Sequence, residues 1–580
     1  MWERGWREVI WSQINQEWDV LVIGGGITGA GILREATRAG LRALLVEQRD
    51  FAWGTSSRSS KLVHGGLRYL ASGQVRMTWT SVREREQLLN CAPGLVEPLG
   101  FLLATERGSK PGRLTYSAGL SLYDLMAGQW THRHYQAEDF RMLAPLIRLD
   151  RLAGGFGYND AQTDDARLVL RLLQEAVASG GRALNYVRAD ELLLLEDGKA
   201  AGARLHDQIH GRTADVRARA VINATGAWAD CLRGQLQMPA RIRPLRGSHL
   251  ILPSWRLPVA QAVAFSHPLD GRPVFVLPWE GVTLVGTTDL DHDQPLNTEP
   301  RISPEEAAYL LAAVAHQFPG SAVTTEDIVS TFAGVRPVIG TGKEDPSHES
   351  REHVIWHENG LLTVTGGKLT TFRATALQAL REIIQAFPQA SLVDEPAPPL
   401  APAPAQLTGG EELSQAARRR LLGRYGVNAP ALVAAARPGE LETVPGTQTL
   451  WAELRWAARA EGVCHLDDLL LRRVRLGLLL PEGGAALLPR IRHICQDELG
   501  WDNARWEAEA AAYLALWRAH YSPPDPALVP DWHSLLSISN SNRRSLGSRP
   551  RRRTIWLLAA GAGLILMIWR WRRGRMTHTA

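Results

Sequence analysis

Residues 19–70 read DVLVIGGGITGAGILREATRAGLRALLVEQRDFAWGTSSRSSKLVHGGLRYL. The apolar run from Asp19 to Ile23 predicts a buried parallel strand. It enters Gly24-Gly25-Gly26-Ile27-Thr28-Gly29, where Gly24, Gly26 and Gly29 hold the three glycine positions of G-x-G-x-x-G. The first permits a tight turn, the second a close approach of pyrophosphate to the backbone, and the third close packing of the next helix on the strand. That helix is expected from about Ile27 to Arg38, ended by Gly40, and its free N–H groups face the pyrophosphate. A second apolar strand, Leu41 to Val46, closes on Glu47, 23 residues after Gly24, at the spacing of a carboxylate that grips ribose hydroxyls. A bare glycine motif is weak evidence. Here strand, helix and acid are in register with it, which reads as a dinucleotide-binding unit.

The second half of the stretch decides which dinucleotide. Thr55-Ser56-Ser57, Ser59-Ser60-Lys61 and His64-Gly65-Gly66-Leu67-Arg68-Tyr69 form a loop rich in small donors and glycines. Such a loop lies along a dinucleotide and brings side chains to a flavin ring; a nicotinamide enzyme has no use for it there. SSKLVHGGLRYL resembles the signature of FAD-dependent glycerol-3-phosphate dehydrogenases, within the wider flavin family of D-amino-acid and glycine oxidases. GLSLYDLMAG at 119–128, the G-V-R-P at 334–337 and GGKLTTFR at 366–373 follow in that family's order. The resemblance covers residues 1–390 well, 410–520 loosely, and the tail not at all.

The rest of the chain organises around this unit. Residues 1–18 form an amphipathic lead-in with Trp2, Trp6, Val9 and Ile10 expected on one helical face. Val75 to Asn90 reads as a charged helix carrying no legible chemistry. Asp164 or Asp165 is expected to cap the next helix with Arg167 as its partner, rather than to do acid–base work. Asn185 to Val187 and Ala218 to Ile222 read as strands, the latter ending in Asn223-Ala224-Thr225-Gly226. Alternating strands and turns from Arg243 to Asp289 suggest an antiparallel sheet that roofs a flavin. A linker follows, with prolines at 396, 398, 399, 402 and 404, then an Arg/Ala/Leu-rich helical region in which Asp467 and Asp468 face Arg472 and Arg473.

The expected fold is therefore α/β with α+β: a discontinuous Rossmann-type FAD-binding domain, an antiparallel β substrate domain and a C-terminal helical domain. The bounds are a lead-in at 1–18 and the oxidoreductase at 19–390, with FAD-binding parts 19–70, 155–230 and 330–390 and a substrate domain mainly at 240–330. A Pro-rich linker at 391–410, the helical domain at 411–521, a basic spacer at 522–553 and a membrane segment at 554–571 complete it.

The resemblance implies oxidation of sn-glycerol 3-phosphate and assigns residues. Contacts to FAD fall to Gly24, Gly26, Thr28, Gly29, Glu47, Thr55, Ser56, Ser60, Lys61, His64, Gly65, Gly66, Val187, Thr225, Gly226, Gly367, Lys368, Leu369 and Thr370. Arg68, Tyr69, Arg336, Arg351 and Lys368 bind the substrate, the planar Arg fork suiting phosphate oxygens. His249 is the expected general base, because imidazole titrates near operating pH; in the alternative, Arg336 stabilises the alkoxide while water takes the proton. The helix opened by GGKLTTFR directs its N–H groups, and Lys368 its charge, at the negative charge of a reduced flavin. No metal is expected. The family further implies electrons leaving to a membrane quinone, and a homodimer is a compatible assembly. Competing readings are an oxidase that reduces oxygen and a flavin-binding sensor without turnover.

Composition adds bounds. The chain has 580 residues and 45% apolar residues, enough for two or three domains. Four cysteines with no CxxC pair point to a reducing compartment, and Met1 to Trp18 lacks the apolar core of a secretory signal. The net charge of +5 is local: residues 541–580 carry ten arginines and no acid, and the remainder has 55 basic against 60 acidic residues. A nucleic-acid partner is thereby disfavoured. Five lysines stand against 60 arginines, and two of them, Lys61 and Lys368, fall inside the glycine- and serine-rich motifs. The apolar run 555–569 is flanked by arginines; its 15 residues reach about 22 Å against a hydrocarbon core of about 30 Å, a gap that Trp and snorkelling Arg can close. It is expected to anchor the protein, by its tail, on the cytoplasmic face of the inner membrane.

Overall fold

The structure is a computed structural model that describes residues 2–71, 73–108, 112–340, 342, 349, 352–392 and 397–536. Arg351 and the apolar tail segment lie outside the described residues. Among those described, the strands form two sheets, of eight and ten strands.

The first sheet is centred on Trp18–Ile23, paired in parallel with Arg212–Asn223 on one side and Ala43–Val46 on the other. Arg182–Leu184 extends it in parallel beyond Ala43–Val46, and Leu361–Thr365 beyond Arg212–Asn223. The central strand is apolar at consecutive positions because both faces are covered. Val20 and Val22 pack into a core with Ile32, Leu33, Leu168 and Leu172 from the helices Ile27–Arg38 and Asp165–Ala178. Leu21 and Ile23 point the other way, into a core with Ile10, Leu44 and Leu205. In the lead-in, the helix Trp6–Ser12 buries Ile10 but leaves Val9 exposed, so the four residues do not share one face. Trp2 stacks on Phe51 with ring centroids 5.0 Å apart, which ties the lead-in to the nucleotide-binding unit.

The second sheet is antiparallel except where Ala262–Ser266 runs parallel to Val96–Glu106. It is larger than the expected 240–330 block. Leu152–Thr163 pairs along its length with Val96–Glu106, and Ser330–Ile339 pairs with Ile242–Pro253 from Ile339↔Ile242 to Ser330↔Ile251. Residues 155–163 and 330–339, expected in the FAD-binding part, thus belong to the second sheet. The choice of sheet is made by distant packing: Phe101 lies 5.2 Å from Tyr158 and 6.2 Å from Phe275, ring centroid to ring centroid.

The C-terminal region is helical, with Gln415–Tyr425, Trp451–Ala460, Leu488–Leu499 and Asn503–His520 as its main elements. The proline-rich connection is docked where it is described. Leu400 is buried, Ala401 donates its N–H to both Glu175 carboxylate oxygens at 3.0 Å, and Arg171 donates to the Ala401 carbonyl at 3.1 Å.

A buried ionic seam joins these helices to the nucleotide-binding part. Asp50 takes Arg472 at 2.5 Å and Arg473 at 2.6 Å; Asp164 takes Arg424 at 2.7 Å and Arg475 at 3.0 Å; Asp165 takes Arg475. Asp164 does cap the helix Asp165–Ala178, accepting from the Arg167 backbone N–H at 3.2 Å. The Arg167 guanidinium, however, turns to Glu461. Arg472 pairs with Asp467 and Asp468 as expected, while Arg473 leaves them for Asp50. Among the described residues, no helix is long and apolar enough to cross a membrane.

Candidate active site

A cleft of about 1330 Å³ opens between the two sheets, lined at one end by the glycine turn and at the other by Arg336 and Lys368. The backbone shapes the first end. Gly24 has φ +116°, and a Cβ there would sit 2.5 Å from the Ala224 carbonyl oxygen, at the start of the Ala224-Thr225-Gly226 corner. A Cβ on Gly29 would sit 1.9 Å from the Gly24 oxygen, so Gly29 serves helix packing and stands behind the lining. Gly26 is the N-cap of Ile27–Arg38, and Gly26, Thr28, Thr225, Gly226 and Val187 line the cleft.

Glu47 lines it too, and does something the sequence did not announce. Its Oε2 accepts the Gly25 N–H at 2.7 Å and its Oε1 the Arg49 N–H at 2.9 Å, so the acid also braces the glycine turn. Burial pushes its carboxyl pKa up, against those two bonds. Ser56 Oγ accepts the Ile27 N–H at 2.9 Å, at the first helical residue. These residues fit FAD: a glycine turn too close to the Ala224 backbone for a Cβ on Gly24, a helix whose N-cap Gly26 lines the cleft, an acid in register, and a lining that includes residues of the second sheet.

Along that run, Thr55 donates to the Val335 carbonyl, and Thr55, His64, Gly66, Gly367, Leu369 and Thr370 face the cleft. The His64 N–H reaches Thr370 Oγ1 at 3.2 Å, which fastens the loop at 64–69 to the segment after Gly366-Gly367. Lys368 sits at the N-cap of the short turn Leu369–Thr371, which leads into the helix Phe372–Ile383. Its Nζ lies 3.7 Å above the Tyr69 ring and 3.3 Å from Ser81 Oγ. Arg68 and Tyr69 line the same cleft. Arg336 lines it from Ser330–Ile339, held by Asp289 at 2.8 Å and by Thr287 Oγ1 at 3.0 Å.

Besides Gly29, three expected contacts are not in the lining. Lys61 is fully buried, paired with Asp165 at 2.9 Å and donating to the Ser57 carbonyl at 2.6 Å. Burial pulls its pKa down to about 8 against the pull of Asp165. It supports the loop from within and does not reach the cofactor space. Gly65 is also buried: its N–H donates to Asp160 Oδ1 at 3.0 Å, and a Cβ would meet Tyr123 Oη at 2.4 Å. It is a glycine because of that packing.

His249 is the third. It is 1% exposed, stacked on Phe332 at 4.6 Å, and reaches the cleft only through Ser60, whose Oγ lies 2.9 Å from its Nε2. Burial first, then the charges of Arg336 and Lys61, hold its pKa well below 6.5. That shift runs against the expectation of a base titrating near operating pH. Asp289, Thr287, Ser81, Asp160 and Asp165 were not assigned to the site from sequence. The acid in Thr287-Thr288-Asp289 had a motif-like context, but its partner lies 47 positions away.

Comparison with known proteins agrees with this geometry. A family described as FAD dependent oxidoreductase matches residues 19–373, and one described as the C-terminal domain of alpha-glycerophosphate oxidase matches 365–506. The aerobic glycerol-3-phosphate dehydrogenase of Staphylococcus haemolyticus is 35% identical over 379 residues, 64% of this chain and 68% of that protein. Its counterpart in Staphylococcus saprophyticus is 36% identical over 370 residues, 63% and 66% of the two chains. The matched region thus spans about two thirds of these relatives. The crystal structure of glycerol-3-phosphate dehydrogenase from Bacillus halodurans, complexed with FAD, superposes with TM-score 0.71 at 28% identity, covering 90% of this chain and 97% of that one.

Proposed function

This chain belongs to the FAD-dependent glycerol-3-phosphate dehydrogenase family, and from that premise we propose that it oxidises sn-glycerol 3-phosphate to dihydroxyacetone phosphate. What supports the proposal is that Arg68, Arg336 and Lys368, from three distant segments, all line the FAD cleft. A phosphate dianion beside a flavin requires cations at that place, and a neutral substrate does not.

Arg68 and Lys368 hold the phosphate, with Arg351 of the expected set beyond the described residues. The hydroxyl to be oxidised then faces Arg336. Asp289 and Thr287 fix that guanidinium before substrate arrives, so it stabilises a developing alkoxide without reorganising. FAD, when bound, supplies the two-electron acceptor for the C2 hydride. The hydroxyl proton passes to Ser60 Oγ as the Ser60 proton passes to His249 Nε2. Ser60 is needed in this relay because the His249 ring is buried behind it, with Nε2 2.9 Å from Ser60 Oγ. Electrons continue to a membrane quinone, and the segment 554–571 holds the enzyme to the cytoplasmic face of the membrane that contains it. What supports this last step is the dehydrogenase naming of the relatives and the apolar, arginine-flanked tail.

The test is turnover of sn-glycerol 3-phosphate with a soluble quinone analogue under argon, following dihydroxyacetone phosphate. One quinol per product is expected. Equal rates in air with peroxide as the product would make the enzyme an oxidase, and no product with either acceptor would end the proposal.

A further inference from the structure

The helix Val75–Cys91 carries charge that its sequence does not explain. Beside the apolar Val82 and Leu88 it buries four polar residues, Thr78, Ser81, Glu84 and Arg85, at helical spacing. An amphipathic helix ordinarily turns such residues to water. Here two of them reach the cleft wall from adjacent turns. Ser81 Oγ takes Lys368 Nζ at 3.3 Å. Arg85 Nη1 binds Asp160 Oδ1 and stands 3.2 Å from Tyr123 Oη.

Asp160 is the node. Tyr123 Oη lies 2.9 Å from both its oxygens, and Gly65 N–H donates to Oδ1 at 3.0 Å. Tyr123 comes from the helix Arg113–Ala127, the segment of GLSLYDLMAG, and Asp160 from the strand Leu152–Thr163. Burial and the neighbouring Asp160 carboxylate raise the Tyr123 pKa well above 10, so the phenol stays a donor. Gly65 opens the loop that carries Arg68 and Tyr69. Gly66 has φ +81°, and a Cβ there would meet the Tyr69 ring at 2.3 Å and Lys368 Nζ at 3.2 Å. The glycine pair, the Tyr69 ring and the Lys368 ammonium are therefore packed as one block, and two polar contacts of that block, Lys368 to Ser81 and Gly65 through Asp160 to Arg85, lead back to Val75–Cys91.

We infer that Asp160, clamped by Arg85 and Tyr123, is a positioning residue that sets the loop at 64–69 against Lys368 and so fixes the spacing of the phosphate-binding groups. Asp160 acts through the Gly65 amide; it carries no proton in the reaction. A carboxylate serves because it accepts from an amide, a phenol and a guanidinium at once, which no neutral side chain does with equal strength. The inference rests on the substrate reading above.

The experiment compares wild type, Asp160→Ala, Asp160→Asn and Tyr123→Phe, each as FAD-loaded full-length protein. Three readouts are taken: flavin content, the KM and kcat for sn-glycerol 3-phosphate, and deuterium exchange of the peptide covering 62–70. For Asp160→Ala, KM should rise about tenfold with kcat changed less than about threefold and flavin content kept. Exchange at 62–70 should speed up. Asp160→Asn retains an acceptor for Gly65 and should recover most of both effects. Tyr123→Phe, the milder change because it keeps the ring and removes only the hydroxyl, should shift KM and exchange in the same direction by less. Unchanged KM and exchange in an active series would overturn the inference, as would loss of flavin in place of a KM shift. If wild type shows no turnover, the substrate reading fails, and the exchange data alone then decide whether Asp160 holds the loop.

Discussion

The glycine turn at 24–29 and the ionic seam between Asp50 and Arg475 both bring chain segments into close approach, with different materials. At the turn, side chains are removed: a single Cβ on Gly29 would lie 1.9 Å from a carbonyl oxygen. In the seam, large side chains are buried with their charges matched. Asp50, Asp164 and Asp165 together take Lys61, Arg424, Arg472, Arg473 and Arg475, all buried. The turn has to leave room for a ligand, so its surface is backbone. The seam has to exclude everything, water included, so each charge needs a partner at bonding distance. A defect in the turn should therefore cost the cofactor, and a defect in the seam should cost stability.

Gly26→Ala, which puts a methyl group on a residue lining the cleft, tests the first half and should have the largest effect: purified protein without bound flavin, measured as the ratio of 450 nm to 280 nm absorbance, with near-native far-UV circular dichroism. A yellow Gly26→Ala protein would mean that the turn tolerates the methyl group and that the cradle argument is wrong. Asp50→Ala tests the second half. It leaves Arg472 and Arg473 with less buried counter-charge and should cost about 3–5 kcal/mol in thermal or denaturant unfolding, with flavin retained below the transition.

The same carboxyl gives a pH signature. Burial raises its pKa, but Arg473 and Arg472 outweigh that and hold it at about 2. A carboxyl lower in the folded state stabilises fully above its unfolded value of about 4 and loses that contribution as pH falls toward about 2. The melting temperatures of wild type and Asp50→Ala should thus converge over that window; a constant gap would show that the pair is not ionic. Arg204→Ala, which breaks an exposed pair with Asp215 and Glu191, should leave the melting temperature unchanged. A clear drop there would blur the contrast between buried and surface charge.

What could be read from sequence follows the same division. The glycine turn is a constraint among neighbours, so the strand, the helix Ile27–Arg38 and Glu47 were legible from spacing. The Asp164 cap was legible for the same reason. The seam joins residues such as Asp50 and Arg473, 423 positions apart, and no local period carries that information. Lys61 shows the cost. Its motif looked like a cofactor contact, but a fully buried ammonium reaching Asp165 is an internal brace. His249 stood in a recognisable motif, yet burial decided its protonation and its distance from the cleft. Val75–Cys91 was legible as a helix and silent as chemistry, since the partners of Ser81 and Arg85 lie on other elements.

The measurement that bears most directly on the central claim is anaerobic. Purified, flavin-loaded protein is mixed with sn-glycerol 3-phosphate, without nicotinamide, and the flavin absorbance near 450 nm is followed. Prompt bleaching, with one dihydroxyacetone phosphate formed per flavin, is the expected result. A spectrum that stays yellow at saturating substrate would contradict the proposal that the cations lining the cleft serve this oxidation.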